Sequence, residues 1–301
     1  MSAFGTAAPV AAQPPTEVVV SARPAEGESA APIGGGTIVL ITGIAGLTMV
    51  GCLAALGRLR LEPKVTGWPV SPGEALGGFL ALLFSGALGG TVAMQIAGVP
   101  PGDDTLRGES ITGLGVFAMQ LPVAVLAIVT LRRRGGRVGS RGAALLGAAI
   151  AALSWPIIQL ASMAAAWVQV ELGGLEPPAI GHQTLLELAR GGGGAWGLGA
   201  IALAAIVAPA FEELAYRGML QSAMRRLGAR PWWAIVFTSL VFAAMHTGAF
   251  PPGAQAPGMA AVFTLSLALG WLFERTGSLT APFVAHASFN SVNLLLLPLM
   301  V

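Results

Sequence analysis

The sequence predicts an all-α fold, a polytopic membrane bundle of about eight transmembrane helices, and three observations predict it. Of 301 residues, 54% are hydrophobic and only 10% are charged, whereas soluble domains carry about a quarter charged residues. Eight apolar runs, near 35–57, 75–99, 110–131, 142–169, 196–220, 231–250, 258–274 and 279–300, approach the ~20 residues that cross a ~30 Å hydrocarbon core as helix. Basic residues alternate between the connecting loops. Twelve, from Arg58, Arg60 and Lys64 to Arg275, fall on one side, and Arg23, Arg107 and Arg190 fall on the other. Because basic residues are retained in the cytoplasm, this bias predicts both termini outside. A bacterial plasma membrane is the expected location.

Taken in order, residues 1–32 are rich in Ala, Pro, Glu and Ser, lack the basic region and apolar core of a signal peptide, and predict a disordered tail. The first run holds Cys52, the only cysteine, which excludes an intramolecular disulfide and a cysteine metal site. Runs one to four have no charged residue or histidine at their centres, so 33–190 is expected to be scaffold or gate. The connectors 100–109 and 172–183 read as ordinary loops. QTLLELAR (183–190) suits a short interfacial helix, and His182 beside it is expected to be solvated and incidental. The glycines at 191–194 open the chemical part of the chain, 191–301. In it, the fifth run carries FEELAYRGML, the sixth begins with Pro231 and the interfacial anchors Trp232 and Trp233, and the last two runs are the shortest.

An ionised residue at the bilayer centre costs about 2.5–3.5 kcal/mol on insertion scales, so those present usually face a cavity and mark function. They concentrate in runs five, six and eight as Glu212, Glu213, Arg217, His246, His286 and Asn290. Glu213 and Arg217 are four apart and predict an ion pair within one helix. Glu212 is turned away and is the freer carboxylate, with Tyr216 in reach for a hydrogen bond. Ser239, Phe242 and His246 share one stripe, as do His286, Asn290 and Asn293. A Glu and a His in low dielectric suit water activation, and an amide and an imidazole suit a developing oxyanion, so acyl hydrolysis is the expected chemistry. Ser288 and Ser291 lie off the His286 face, which disfavours a serine hydrolase. Metal remains open: Glu212, His246 and His286 are acceptable ligands for a divalent ion such as zinc, but the His-Glu-x-x-His spacing is absent. The net charge of +2 implies no nucleic acid.

Glu212-Glu213-x-x-x-Arg217, Phe242-x-x-x-His246 and His286-x-x-x-Asn290, in this order, resemble the motifs of the type II CAAX prenyl endopeptidase family, also called CPBP or Abi. The likeness covers about 195–297. It implies an eight-helix intramembrane protease in which Glu212 and His246 activate water, His286 and Asn290 line the site and stabilise the oxyanion, and Glu213, Arg217 and Phe242 support them. Its name includes "metalloprotease", which leaves the cofactor open. The implied partners are the bilayer and a membrane-associated protein or peptide, whether a prenylated tail, a bacteriocin leader or a membrane-protein segment. Two other readings compete. Buried Glu, Arg and His also build proton-coupled transporters, and the fold can serve as a non-catalytic scaffold. Depth presents a difficulty, since Glu212 lies about 13 Å and His246 about 22 Å from the inner ends of their expected runs at 1.5 Å per residue.

Overall fold

In the computed structural model, residues 35–61, 68–136, 139, 141–178, 180–190 and 194–299 are described. The tail expected at 1–32 lies outside them, as do 191–193 at the expected division between scaffold and chemical part. The described residues are helical with no strand among them. Helices α1 (Gly35–Ala55), α2 (Pro72–Ala97), α3 (Leu106–Arg133) and α4 (Arg141–Gly173) precede a short α5 (Gln183–Ala189). A long α6 (Gly194–Arg226) follows. Then come α7 (Pro231–Met245), α8 (Gln255–Thr276) and α9 (Thr280–Leu296).

A helix therefore stands at each of the eight apolar runs, and α5 at the interfacial segment. Five of them, α2, α3, α4, α6 and α8, are long and apolar enough to cross a membrane by themselves. The apolar stretch Val39–Ala55 and α7 are shorter, and α9 spends part of its 17 residues on His286, Asn290 and Asn293. Among the described residues, length and hydropathy alone support five of the eight expected crossings. With these five helices and dozens of exposed apolar side chains, from Leu40 to Leu295, the chain is an integral membrane protein.

Local chemistry sets the helix ends. Ser71 caps α2 in a reciprocal box: its hydroxyl accepts the Glu74 N–H at 3.2 Å and its own N–H donates to Glu74 Oε2 at 2.8 Å, with Pro72 starting the helix. Gly98, at φ 62°, ends it in the left-handed region that glycine enters without a Cβ clash. The same Glu74 takes both Arg134 amino groups at 2.7 Å, joining the start of α2 to the end of α3. This exposed pair is screened by solvent and contributes little to stability.

Without a hydrophobic force between helices in lipid, close approach over small residues supplies the packing. A Cβ on Gly89 would lie 2.1 Å from the Gly115 carbonyl oxygen, and one on Gly115 would lie 2.3 Å from that of Gly89. Backbone meets backbone where α2 crosses α3, and Gly147 meets the Ala281 carbonyl in the same way where α4 crosses α9. Gly115→Val is expected to destabilise the bundle by about 1–3 kcal/mol, the usual cost of overpacking, read as a lowered unfolding temperature in detergent.

Two apolar clusters flank α6. One gathers Trp68, Phe79, Leu131, Tyr216, Met219, Phe242 and Phe273, and the other joins Ile158 of α4 to Leu265, Leu269 and Leu272 of α8 and Ala281 of α9. A buried polar seam joins α6 to α8. Glu213, Arg217, Gln221 and Arg225 recur every fourth residue of α6, and Ser266, Gly270 and Glu274 recur every fourth residue of α8. Arg217 Nη2 donates to Ser266 Oγ at 2.7 Å, Gln221 Nε2 to the Gly270 carbonyl at 3.1 Å and to Glu274 Oε1 at 3.0 Å, and Arg225 Nε to Glu274 Oε2 at 3.1 Å. Gly270 leaves room for this approach, since a Cβ there would lie 3.0 Å from Gln221 Oε1 and from Ile235.

Candidate active site

Helix α6 is not uniform. Leu203–Val207 and Leu214–Gln221 are π-helical, with α-helical Ala208–Glu213 between them. Pro209 has no N–H to return to the Ala205 carbonyl, so the ladder loosens one turn earlier. The Ala208 N–H bonds the Leu203 carbonyl, five residues back, in place of Ala204. The released Ala204 carbonyl accepts Asn290 Nδ2 of α9 at 2.8 Å. Such π turns concentrate at functional sites because they expose a carbonyl and rotate the following side chains.

Ordinary helix geometry separates the two adjacent glutamates, which both lie in the α-helical stretch Ala208–Glu213. Glu213 is buried, and its Oε1 accepts Arg217 Nη1 at 2.9 Å. That oxygen already accepts from a guanidinium, so the contact from His286 Nδ1 at 2.8 Å is also a donation, and Nδ1 of His286 carries a proton. Glu212 is 27% exposed and stands between two imidazoles, with Oε1 3.8 Å from His246 Nε2 and Oε2 3.7 Å from His286 Nε2. Glu213 is paired with Arg217 at the spacing of four that predicts the pair, and Glu212 has only longer contacts to the imidazoles. The pairing of Glu213 with His286 did not follow from spacing, since 73 residues separate them.

His246 caps the end of α7, and its Nδ1 lies 2.7 Å from the Phe242 carbonyl, which can only accept. Both imidazoles therefore donate outward through Nδ1 and turn Nε2 toward Glu212. Phe242 is the wedge that fixes them, with its ring 4.4 Å from the His246 ring, 5.8 Å from that of His286, 4.8 Å from that of Tyr216, and 4.8 Å from the Arg217 guanidinium carbon. Among the described residues no hydrogen bond joins Tyr216 to Glu212. The Tyr216 ring instead lies edge-on to Phe79 and Phe242.

The depth difficulty disappears because α6 continues to Arg226, six residues past its expected end. Glu212 is then about 21 Å from the inner end at 1.5 Å per residue, level with His246 on α7. The hydropathy of 221–226 concealed this extension, since Gln221, Arg225 and Arg226 read as loop. Gln221 Nε2 and Arg225 Nε are engaged by the seam with α8, and the Trp68 carbonyl accepts Arg226 Nη2 at 3.1 Å.

These groups line a cavity of about 620 Å³ walled mostly by apolar side chains, among them Phe117, Met163, Leu203, Leu265 and Phe289. Its volume suits a short peptide segment. Glu212, His246, His286, Asn290 and Asn293 all open onto it, and so does His182, which sequence reading set aside as solvated. All three histidines of the chain share one cavity. The connector before His182 is pinned by Gln169 Nε2, which donates to the carbonyls of Leu175 and Gly253 at 2.9 and 2.8 Å, contacts that no sequence pattern signals.

As a metal site, the donor set fits in kind. Imidazoles that ligate through Nε2 while Nδ1–H is held by a carbonyl or carboxylate are the common arrangement around zinc. The gaps of 3.7 and 3.8 Å exceed the roughly 3.3 Å between ligand atoms around tetrahedral zinc. Among the described residues no group of three is close enough to be a formed centre.

Compared with known proteins, residues 194–292 match the family model described as Type II CAAX prenyl endopeptidase Rce1-like. No curated protein and no solved structure matches the chain.

Proposed function

From the premise that residues 194–292 form an Rce1-like domain of the CAAX protease family, we propose that this protein is an intramembrane endopeptidase that hydrolyses a peptide bond of a membrane-associated protein or peptide. The observation that carries the reading is a carboxylate standing between the Nε2 atoms of two imidazoles, 3.7 and 3.8 Å away, on the wall of an apolar cavity.

Glu212 accepts a proton from water, with His246 Nε2 as the second acceptor, and the hydroxide attacks the scissile carbonyl carbon. The tetrahedral oxyanion is met by Asn290, which keeps one amide N–H after the other is given to Ala204. His286 joins as a donor only when Nε2 carries a second proton, because Nδ1–H is committed to Glu213. Glu212 then returns its proton to the leaving nitrogen, which completes hydrolysis with no covalent intermediate. A bound divalent cation such as zinc would be held by Glu212, His246 and His286 and would lower the pKa of its water. Both termini outside, and a prenylated substrate, belong to the same proposal.

The test is cleavage of acylated peptides by the purified full chain in detergent, read by mass spectrometry. Wild type cuts and His246→Ala does not; cutting by His246→Ala at the wild-type rate would remove the reading. A transporter would instead show proton-coupled flux in sealed vesicles and cut nothing. Asn290→Ala is expected to lower kcat by about 10²–10³ with a smaller change in KM, as loss of one oxyanion donor does.

A further inference from the structure

His182 is placed with more care than a solvated loop residue requires. It precedes α5 in extended conformation, and its Nδ1 accepts the Thr184 N–H at 3.3 Å. Nε2 therefore carries the ring proton in the neutral form. Burial and the nearby His246 push its pKa down to about 4, so the ring is neutral at neutral pH. Its ring stands edge-on to Phe250 at 6.1 Å and 89°. Phe250 is in turn clamped on Gly258, where a Cβ would meet the Phe250 ring at 2.5 Å. A fixed N–H donor thus borders the same cavity as Glu212 and His246.

We propose that His182 is a substrate-binding residue whose Nε2–H donates to a main-chain carbonyl oxygen of the peptide held in this cavity. This rests on the hydrolase reading above. A neutral carbonyl is favoured over a terminal carboxylate because Glu109 and Glu212 line the same cavity while no Lys or Arg stands among its described lining residues to pair with a carboxylate. An extended peptide presents its carbonyls on alternating sides, so a donor on the wall fixes its register relative to the activated water.

Two replacements separate binding from capping. Asparagine at 182 keeps an acceptor for the Thr184 N–H and loses the distal donor, while glutamine keeps a distal N–H donor and is a poor cap. The assay takes the acylated peptide that wild type cuts fastest from a library, prepared with a free C-terminal carboxylate and with an amide. His182→Asn is expected to raise KM about tenfold at unchanged kcat for both forms, and His182→Gln to stay within about threefold of wild type. A His182→Asn protein that behaves as wild type, while His182→Gln is impaired, leaves only a helix cap and overturns the proposal. Sensitivity confined to the free carboxylate form overturns it as well, in favour of a terminus-binding site. Glu212→Gln in the same assay tells the two failures apart. If it cuts like wild type, or if wild type cuts nothing, the hydrolase reading falls and the binding role with it.

Discussion

Glu212→Gln is expected to lower kcat for peptide cleavage by about 10²–10⁴, the range contributed by a positioned general base, with KM close to wild type. Glutamine matches the shape of the side chain and keeps an oxygen, but it cannot take a proton from water. The change should leave the fold intact, because Glu212 is 27% exposed and the two imidazoles beside it are 3.7 and 3.8 Å away. Unfolding temperature in detergent and single-turnover cleavage read the two effects separately. A variant that retains even a tenth of the wild-type kcat would remove Glu212 as the base. The neighbouring Glu213→Gln should behave differently, losing stability and rate together, since Glu213 holds both Arg217 and the His286 ring.

Arg217→Met should carry the largest stability loss of any single replacement considered. Arg217 is fully buried, bonds Glu213 at 2.9 Å and Ser266 at 2.7 Å, and stacks on Phe242. Removing it strands the Glu213 carboxylate in low dielectric, and breaking a buried pair from one side costs about 3–5 kcal/mol. Adding Glu213→Gln to Arg217→Met should recover part of that loss, because the orphaned charge goes with it. The measurement is the unfolding midpoint of the three variants in one detergent. Equal midpoints for wild type and Arg217→Met would show that the seam between α6 and α8 contributes little.

The contrast between the two glutamates shows what was legible along the chain. Spacing of four placed Arg217 opposite Glu213 and turned Glu212 away, because helix geometry is local and the intervening residues carry it. Spacing could not place His286 on Glu213, or Asn290 on the Ala204 carbonyl, because those pairs join helices 73 and 86 residues apart. The expected end of α6 was wrong for a related reason. Gln221 and Arg225 resemble loop residues when their partners, Gly270 and Glu274 on α8, are not in view. His182 was misread likewise, since a histidine in a Gly/Pro-rich connector has no periodicity to say what it faces.

What the sequence by itself determined is the membrane, the helices and the identity of the polar set, because hydropathy and charge cost are properties of single residues and short runs. Tertiary structure decided which carboxylate is left between imidazoles, how deep it lies, and that the third histidine joins the cavity. Those outcomes depend on hydrogen bonds between distant helices and on the π turn Leu203–Val207 ahead of Pro209, and no local pattern encodes where a released carbonyl will find its donor.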